Sequence, residues 1–124
     1  QYCESIQGIC PDGWHIPSDG EWITLESYLG MEASELYLYA WRLGDVATQL
    51  MVGGTTGFNA LMAGYSDYLD EVFLYETLNC YFWTSTVDDI FWWPIFRCFY
   101  FNSGMIYRDY DDPDNGASVR CVKN

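Results

Sequence analysis

Positive charge is what this sequence has least of. Five Lys plus Arg stand against eighteen Asp plus Glu, giving a formal net charge of −13. That balance argues against nucleic acid as a partner, because phosphate contacts need clustered cations. It argues against an anionic membrane surface for the same reason. No apolar run approaches the ~18 residues of a membrane span, and there is neither an initiator Met nor a signal peptide. The chain therefore reads as a processed or trimmed piece, with any anchor or address outside it. The single His15 and the lack of a CxxC pair leave a Cys/His zinc site unsupported. No GxSxG, HExxH or phosphate-loop motif occurs. Carboxylate pairs are abundant, but eighteen acids guarantee that, so they carry no specific case for glycosidase chemistry. The expectation is a protein that is not an enzyme and needs no cofactor.

What is present is apolar and aromatic. Half of the 124 residues are hydrophobic and 19% are aromatic, a globular composition in a chain long enough for one domain with a real core. Five cysteines in so short a chain point to an oxidising compartment. An odd number leaves at least one thiol free or paired outside the chain.

Residues 1–17 are turn-rich, with at most one short strand. Ser18 followed by Glu21 forms a capping box, and Trp22, Leu25 and Leu29 recur at helical spacing before Gly30. A second helix is expected over residues 34–51, with Leu36, Tyr39, Leu43, Val46, Ala47 and Leu50 on one face; Gly44 weakens its middle. Residues 53–57 (GGTTG) are a loop, 58–65 a short strand or buried turn, and 66–80 irregular. Strands are expected at 81–85, 94–101, 104–108 and 117–123, with NSG (102–104) as a hairpin and DDPDNG (111–116) as a longer turn. Two helices followed by a strand meander give an α+β class.

Residues 87–114 hold nine aromatics and six aspartates. On a strand, Phe96, Cys98 and Tyr100 share one face, while Ile95, Arg97, Phe99 and Phe101 share the other. One face must pack on the helices, which leaves the other as an aromatic surface of the kind that marks binding sites. Rings among acids also resemble an antibody-like contact mixture. Phe99, Phe101, Trp83 and Ile106 are assigned to the core, and at least one of Phe91, Trp92 and Trp93 to the surface. Asp109, Asp111, Asp112 and Asp114 do not form a calcium loop, since Pro113 and Arg120 occupy positions where an EF-hand needs ligands. The acids are read as a solvated turn that can still touch a ligand. His15 is read as a turn residue with local hydrogen bonds.

The stretches ICPDGWHIPSDGEW (9–22), LESYLG (25–30), GFNALMAGY (57–65), YFWTST (81–86) and GASVRCVKN (116–124), with the spacing of Arg97, Arg108 and Arg120, together resemble the Fibrobacter succinogenes major paralogous domain family. The resemblance covers nearly the whole chain. It implies a C-type-lectin-like fold: two helices packed on a small twisted antiparallel sheet, with the termini close together. It also implies a surface-displayed or secreted bacterial protein, in some members phage-borne or the variable protein of a diversity-generating retroelement. There, template adenines are copied with errors into a C-terminal variable region. On that reading residues 1–86 and 115–124 are scaffold and 87–114 the variable segment of a single 1–124 domain. The ligand-binding residues would be Asp88, Asp89, Phe91, Trp93, Phe96, Cys98, Tyr100, Tyr107, Asp109, Tyr110 and Asp111, and the ligand a protein.

Departures from the pattern are Met62, where Pro is common, and one extra residue within 87–93. Cysteine-oxidising enzymes of the related fold use a cysteine pair, but Cys98 falls at a variable-like position and Cys121 at a scaffold-like one, so that activity is not implied. The resemblance implies a Cys10–Cys121 disulfide, whose long loop would contribute on the order of 4 kcal/mol. Cys3 and Cys80 form a weaker second pair, with Cys98 the odd thiol, either exposed or buried. The rival reading is a structural or adhesive surface domain without diversification, in which the aromatic run is core or subunit interface. Replacing Tyr100, Tyr107 and Tyr110 with Ser separates the two in a denaturation experiment. Display predicts little change in stability, whereas a loss above about 3 kcal/mol indicates burial.

Overall fold

The computed structural model describes residues 8–124. The chain builds β1 (Trp14–His15), α1 (Asp19–Tyr28), β2 (Ala40–Arg42), α2 (Val46–Leu50), β3 (Tyr65–Asp67), β4 (Val72–Leu74), β5 (Asn79–Val87), β6 (Pro94–Tyr100), β7 (Ile106–Tyr110) and β8 (Val122–Lys123). This overturns the two-helix, C-type-lectin-like layout. The described chain is mostly β, with strands in three sheets and helices of only ten and five residues. The central sheet runs β2-β7-β6-β5, and β1-β8 and β3-β4 are separate antiparallel pairs.

The long second helix fails for a physical reason. Ala40 and Gly44 take φ of 69° and 135°, which no α-helix accommodates. The segment between them instead pairs with β7 (Trp41 opposite Tyr107, Arg42 opposite Ile106). Leu43, placed on the buried face from its spacing, is exposed, and only Val46 to Leu50 remain helical, burying Val46, Ala47 and Leu50. Residues 66–80, expected to be irregular, supply the β3-β4 hairpin.

The expectations for α1 and for the later strands fare better. Ser18 accepts from the Glu21 amide at 3.1 Å and Glu21 returns a bond to the Ser18 amide at 2.9 Å, completing the capping box. Trp22 then points into the core, its ring 5.8 to 6.1 Å from those of Phe58, Phe82 and Phe99. The hairpin at 102–104 forms, and Gly104 is required there. A Cβ would meet the Asp45 Cα at 2.7 Å, and the Gly104 carbonyl accepts from the Ala47 amide at 3.0 Å, tying the hairpin to α2.

The Cys10–Cys121 disulfide that the resemblance implied is present. With the β1-β8 pair it joins the two ends of the described chain. Cys80 is a free buried thiol, so it is not half of a second bridge; Cys3 lies outside the described residues. His15 does more than hold a turn. Its Nδ1 is 2.6 Å from Asn124 Oδ1, and its Nε2 is 2.8 Å from Glu21. Both contacts raise its pKa, the Glu21 bond most.

The centre of the fold is ionic. Asp19 and Glu26 lie two turns apart on α1 and face the sheet. Arg42 grips Glu26 with two bonds of 2.7 Å. Arg97 reaches both acids, at 2.6 Å to Glu26 and 2.8 Å to Asp19. Arg108 takes Asp19 in a two-pronged pair at 2.7 and 2.9 Å. Arg97 and Arg108 are direct neighbours across β6 and β7, a like-charge pairing that would repel without the carboxylate between them. Glu26, Arg42 and Arg97 are fully buried.

Removing one partner strands buried charge, so Glu26→Ala should cost about 3–5 kcal/mol in urea denaturation; a loss under about 1 kcal/mol would contradict this role. Burial alone would raise the Asp19 pKa, but the Arg108 bond and the Arg97 charge outweigh it and hold it low. A depressed carboxyl contributes stability above its unfolded pKa and loses it as pH falls through the folded value. Stability should therefore decline below about pH 4 in the native chain, and the Asp19→Asn variant should lose that part of its acid dependence.

Candidate ligand-binding surface

The strand register sorts the aromatic segment into two faces. Arg97 and Phe99 point at α1 and the core, with Ile106 and Arg108 beside them on β7. Phe96, Cys98 and Tyr100 point the other way, beside Tyr81 and Trp83 of β5 and Tyr107 and Asp109 of β7. On this outer face the rings form a continuous row across the strands. Trp41 meets Tyr107 at 5.2 Å between ring centres, Tyr107 meets Phe96 at 5.9 Å, Phe96 meets Tyr81 at 5.8 Å, and Tyr81 meets Tyr65 at 5.0 Å. Trp83 abuts Phe96 at 6.0 Å.

Not every expected contact residue is open. Phe96 (7% exposed) and Cys98 (3%) are covered by their neighbours, so they shape the surface from beneath. Tyr107 is half-buried, and Tyr100 is exposed beside Phe101. Phe101, assigned to the core, is exposed, because β6 ends at Tyr100 and the chain turns outward there.

A second group gathers where the 88–93 loop meets the end of β7. Asp88, expected on the surface, is buried. Its carboxylate accepts from the amides of Ile90, Phe91 and Trp93 at 2.7, 2.8 and 2.7 Å and so pins the loop. Burial would raise its pKa, but these backbone donors, led by Phe91, hold it low. The loop holds Phe91 and Trp93 against Tyr110, at 5.8 and 6.4 Å, and Tyr110 meets Tyr39 edge-on at 5.8 Å. Phe91 and Trp92 are exposed and Trp93 half-buried. Asp88, Asp89, Ile90, Asp109, Tyr110 and Tyr39 enclose a cleft of about 390 Å³.

The acids hold the tyrosines in place. Tyr107 donates to Asp109 at 3.1 Å and Tyr65 to Asp111 at 3.0 Å. Burial, reinforced by Asp109 in one case and Asp111 in the other, raises both phenol pKa values. Burial, and then Cys98, does the same to Tyr81. These hydroxyls therefore stay protonated as donors. Burial also lifts Cys98 and pushes Cys80 up to about 12, so neither thiol offers a reactive thiolate at neutral pH. Among the described residues no three His, Cys, Asp or Glu side chains could hold a metal ion together.

The arrangement offers aromatic contact area edged by carboxylates. The Fibrobacter succinogenes major domain family model matches residues 2–123. The chain belongs to that family. No curated protein and no solved structure is significantly similar to it.

Sequence reasoning missed Tyr39, Trp41, Tyr65 and Tyr81, all outside the 87–114 segment. Tyr39 has the spacing of a helix face, which hides its place beside Tyr110. The signal that could have placed Trp41 is Arg42, a cation with apolar neighbours that fits a strand facing an acid better than an amphipathic helix. Tyr107 and Tyr110 are half-buried and Tyr100 is exposed, so the triple Ser variant tests mainly the first two. Asp88→Ala should release the loop. Amide hydrogen exchange at Ile90, Phe91 and Trp93 should accelerate while the β6 and β7 amides keep their protection; unchanged exchange in the loop would refute the pinning role.

Proposed function

We propose that this family member is a binding module whose ligand is a protein, and that residues 87–114 are its diversified contact segment. One observation carries the reading. On β6 and β7 the residues that hold the fold together alternate with residues that build the outer aromatic face. Tyr100, Tyr107 and Asp109 make none of the bonds in the Arg97 and Arg108 ion pairs. That separation is what a scaffold needs if its display positions are to vary. Tyrosine and tryptophan supply large contact area at low entropic cost, and the aspartates supply charge complementarity.

The disulfide is compatible with an extracellular location, and no helix of the described residues is long and apolar enough to cross a membrane. We take the domain to be secreted or displayed on a bacterial surface, with a diversity-generating retroelement as the source of variation. The burial of Phe96 and Cys98 favours one alternative, a fixed adhesive domain whose outer rings are an invariant interface.

Deep sequencing of the encoding locus across a population separates the two. Diversification predicts substitutions concentrated in codons 87–114, at adenines of a nearby near-copy, and sparing Arg97, Phe99, Ile106 and Arg108. An invariant locus with no near-copy would leave the fixed interface as the reading.

A further inference from the structure

The cleft between the 88–93 loop and the end of β7 has a chemistry of its own. Two of its walls are the tyrosine rings of Tyr39 and Tyr110, set edge-to-face. Its remaining lining includes three carboxylates, Asp88, Asp89 and Asp109, and no cation. Two of these are already oriented. Asp88 is fixed by the loop amides, and Asp109 by the Tyr107 hydroxyl and the Tyr110 amide at 2.9 Å. Asp89 is exposed.

The chain has little with which to neutralise them. Of its five Lys and Arg residues, Arg42, Arg97 and Arg108 are bound to Glu26 and Asp19, a group carrying one net positive charge. Arg120 stacks on Phe58, its guanidinium carbon 4.5 Å from the ring centre, and Lys123 lies on β8. Next to the cleft, the same chemistry is already satisfied once within the fold. The Arg108 guanidinium sits 4.5 Å from the centre of the Tyr39 ring while its fork engages Asp19. A guanidinium on a tyrosine with a carboxylate at its fork thus already occurs once beside the cleft, on its Tyr39 wall with Asp19.

Resting on the protein-binding reading above, we propose that the cleft is the anchor pocket for an arginine side chain of the protein partner. A planar guanidinium stacks flat on one ring while its edge donates to carboxylates in a fixed fork, a geometry that a tetrahedral lysine ammonium lacks. Asp89 and Asp109 take the fork, Tyr110 takes the plane, and Asp88 adds charge while holding the loop. Because Asp88, Asp89, Asp109 and Tyr110 lie in the 87–114 segment and Tyr39 does not, the pocket joins one fixed wall to variable ones. The overall charge of −13 would speed the approach of a basic partner.

The test uses the intact chain and two small probes, N-acetyl-arginine methylamide and its uncharged isostere N-acetyl-citrulline methylamide, titrated by amide NMR in about 0.15 M salt, where long-range attraction is screened. The arginine probe should give saturable shifts clustered at Asp89, Ile90, Asp109 and Tyr110, and citrulline should give none there. The Asp89→Asn/Asp109→Asn double variant, confirmed folded by its unchanged β6 and β7 amide signals, should weaken arginine binding about tenfold. Equal shifts from both probes, shifts spread over the acidic surface at large, no shifts, or unchanged affinity in the double variant would each overturn the pocket. Any of those results leaves the display reading standing, because variation at the locus tests that separately.

Discussion

Everything on the sheet's inner side is organised by two helix carboxylates and three strand guanidiniums. Asp19 and Glu26 project from α1, and Arg42, Arg97 and Arg108 rise from β2, β6 and β7 to meet them. A short helix and three strands are thereby locked in one register, because a guanidinium fork accepts only a narrow range of carboxylate positions. Burying such a group is costly unless each charge is met. Here nearly every donor is used, including Arg42 to the Leu36 carbonyl and Arg108 to the Tyr37 carbonyl. The network holds the 36–42 chain against the sheet.

A register fixed from the inside leaves the outside free. The outer row from Trp41 to Tyr65 is carried by the same strands, one residue out of phase with the ionic side. The loop pinned by Asp88 packs instead on Tyr110, on the Arg108 side of β7, and borders the cleft beside Tyr39. The family assignment and the disulfide describe the scaffold. On the proposed binding reading, the ring-and-acid surface is where a partner would be selected, and the net charge of −13 would favour a basic one.

The parts of this design that lie close together in sequence were legible there. The Ser18–Glu21 cap is a three-residue signal, and the NSG hairpin between two apolar runs is another. The strand alternation of Phe96, Cys98 and Tyr100 against Arg97 and Phe99 also held. What escaped was decided by distant partners. Tyr39 and Leu43 have helical spacing with Leu36 and Leu50, yet Arg42 is claimed by Glu26 and residues 40–42 form a strand. Asp88 looked like one more surface acid in an acid-rich stretch, and only the loop's three amides show why it is buried. Phe101 looked like core because it continues an apolar run, but the run outlasts the strand.

The central claim is that the inner face fixes the fold and the outer face is free to change. Two libraries test it directly, one randomising Tyr100, Tyr107 and Asp109, the other randomising Arg97, Phe99, Ile106 and Arg108, each sorted for protease resistance on a display host. The account predicts that a large share of the first library stays folded and almost none of the second does. Comparable folded fractions in the two libraries would contradict it.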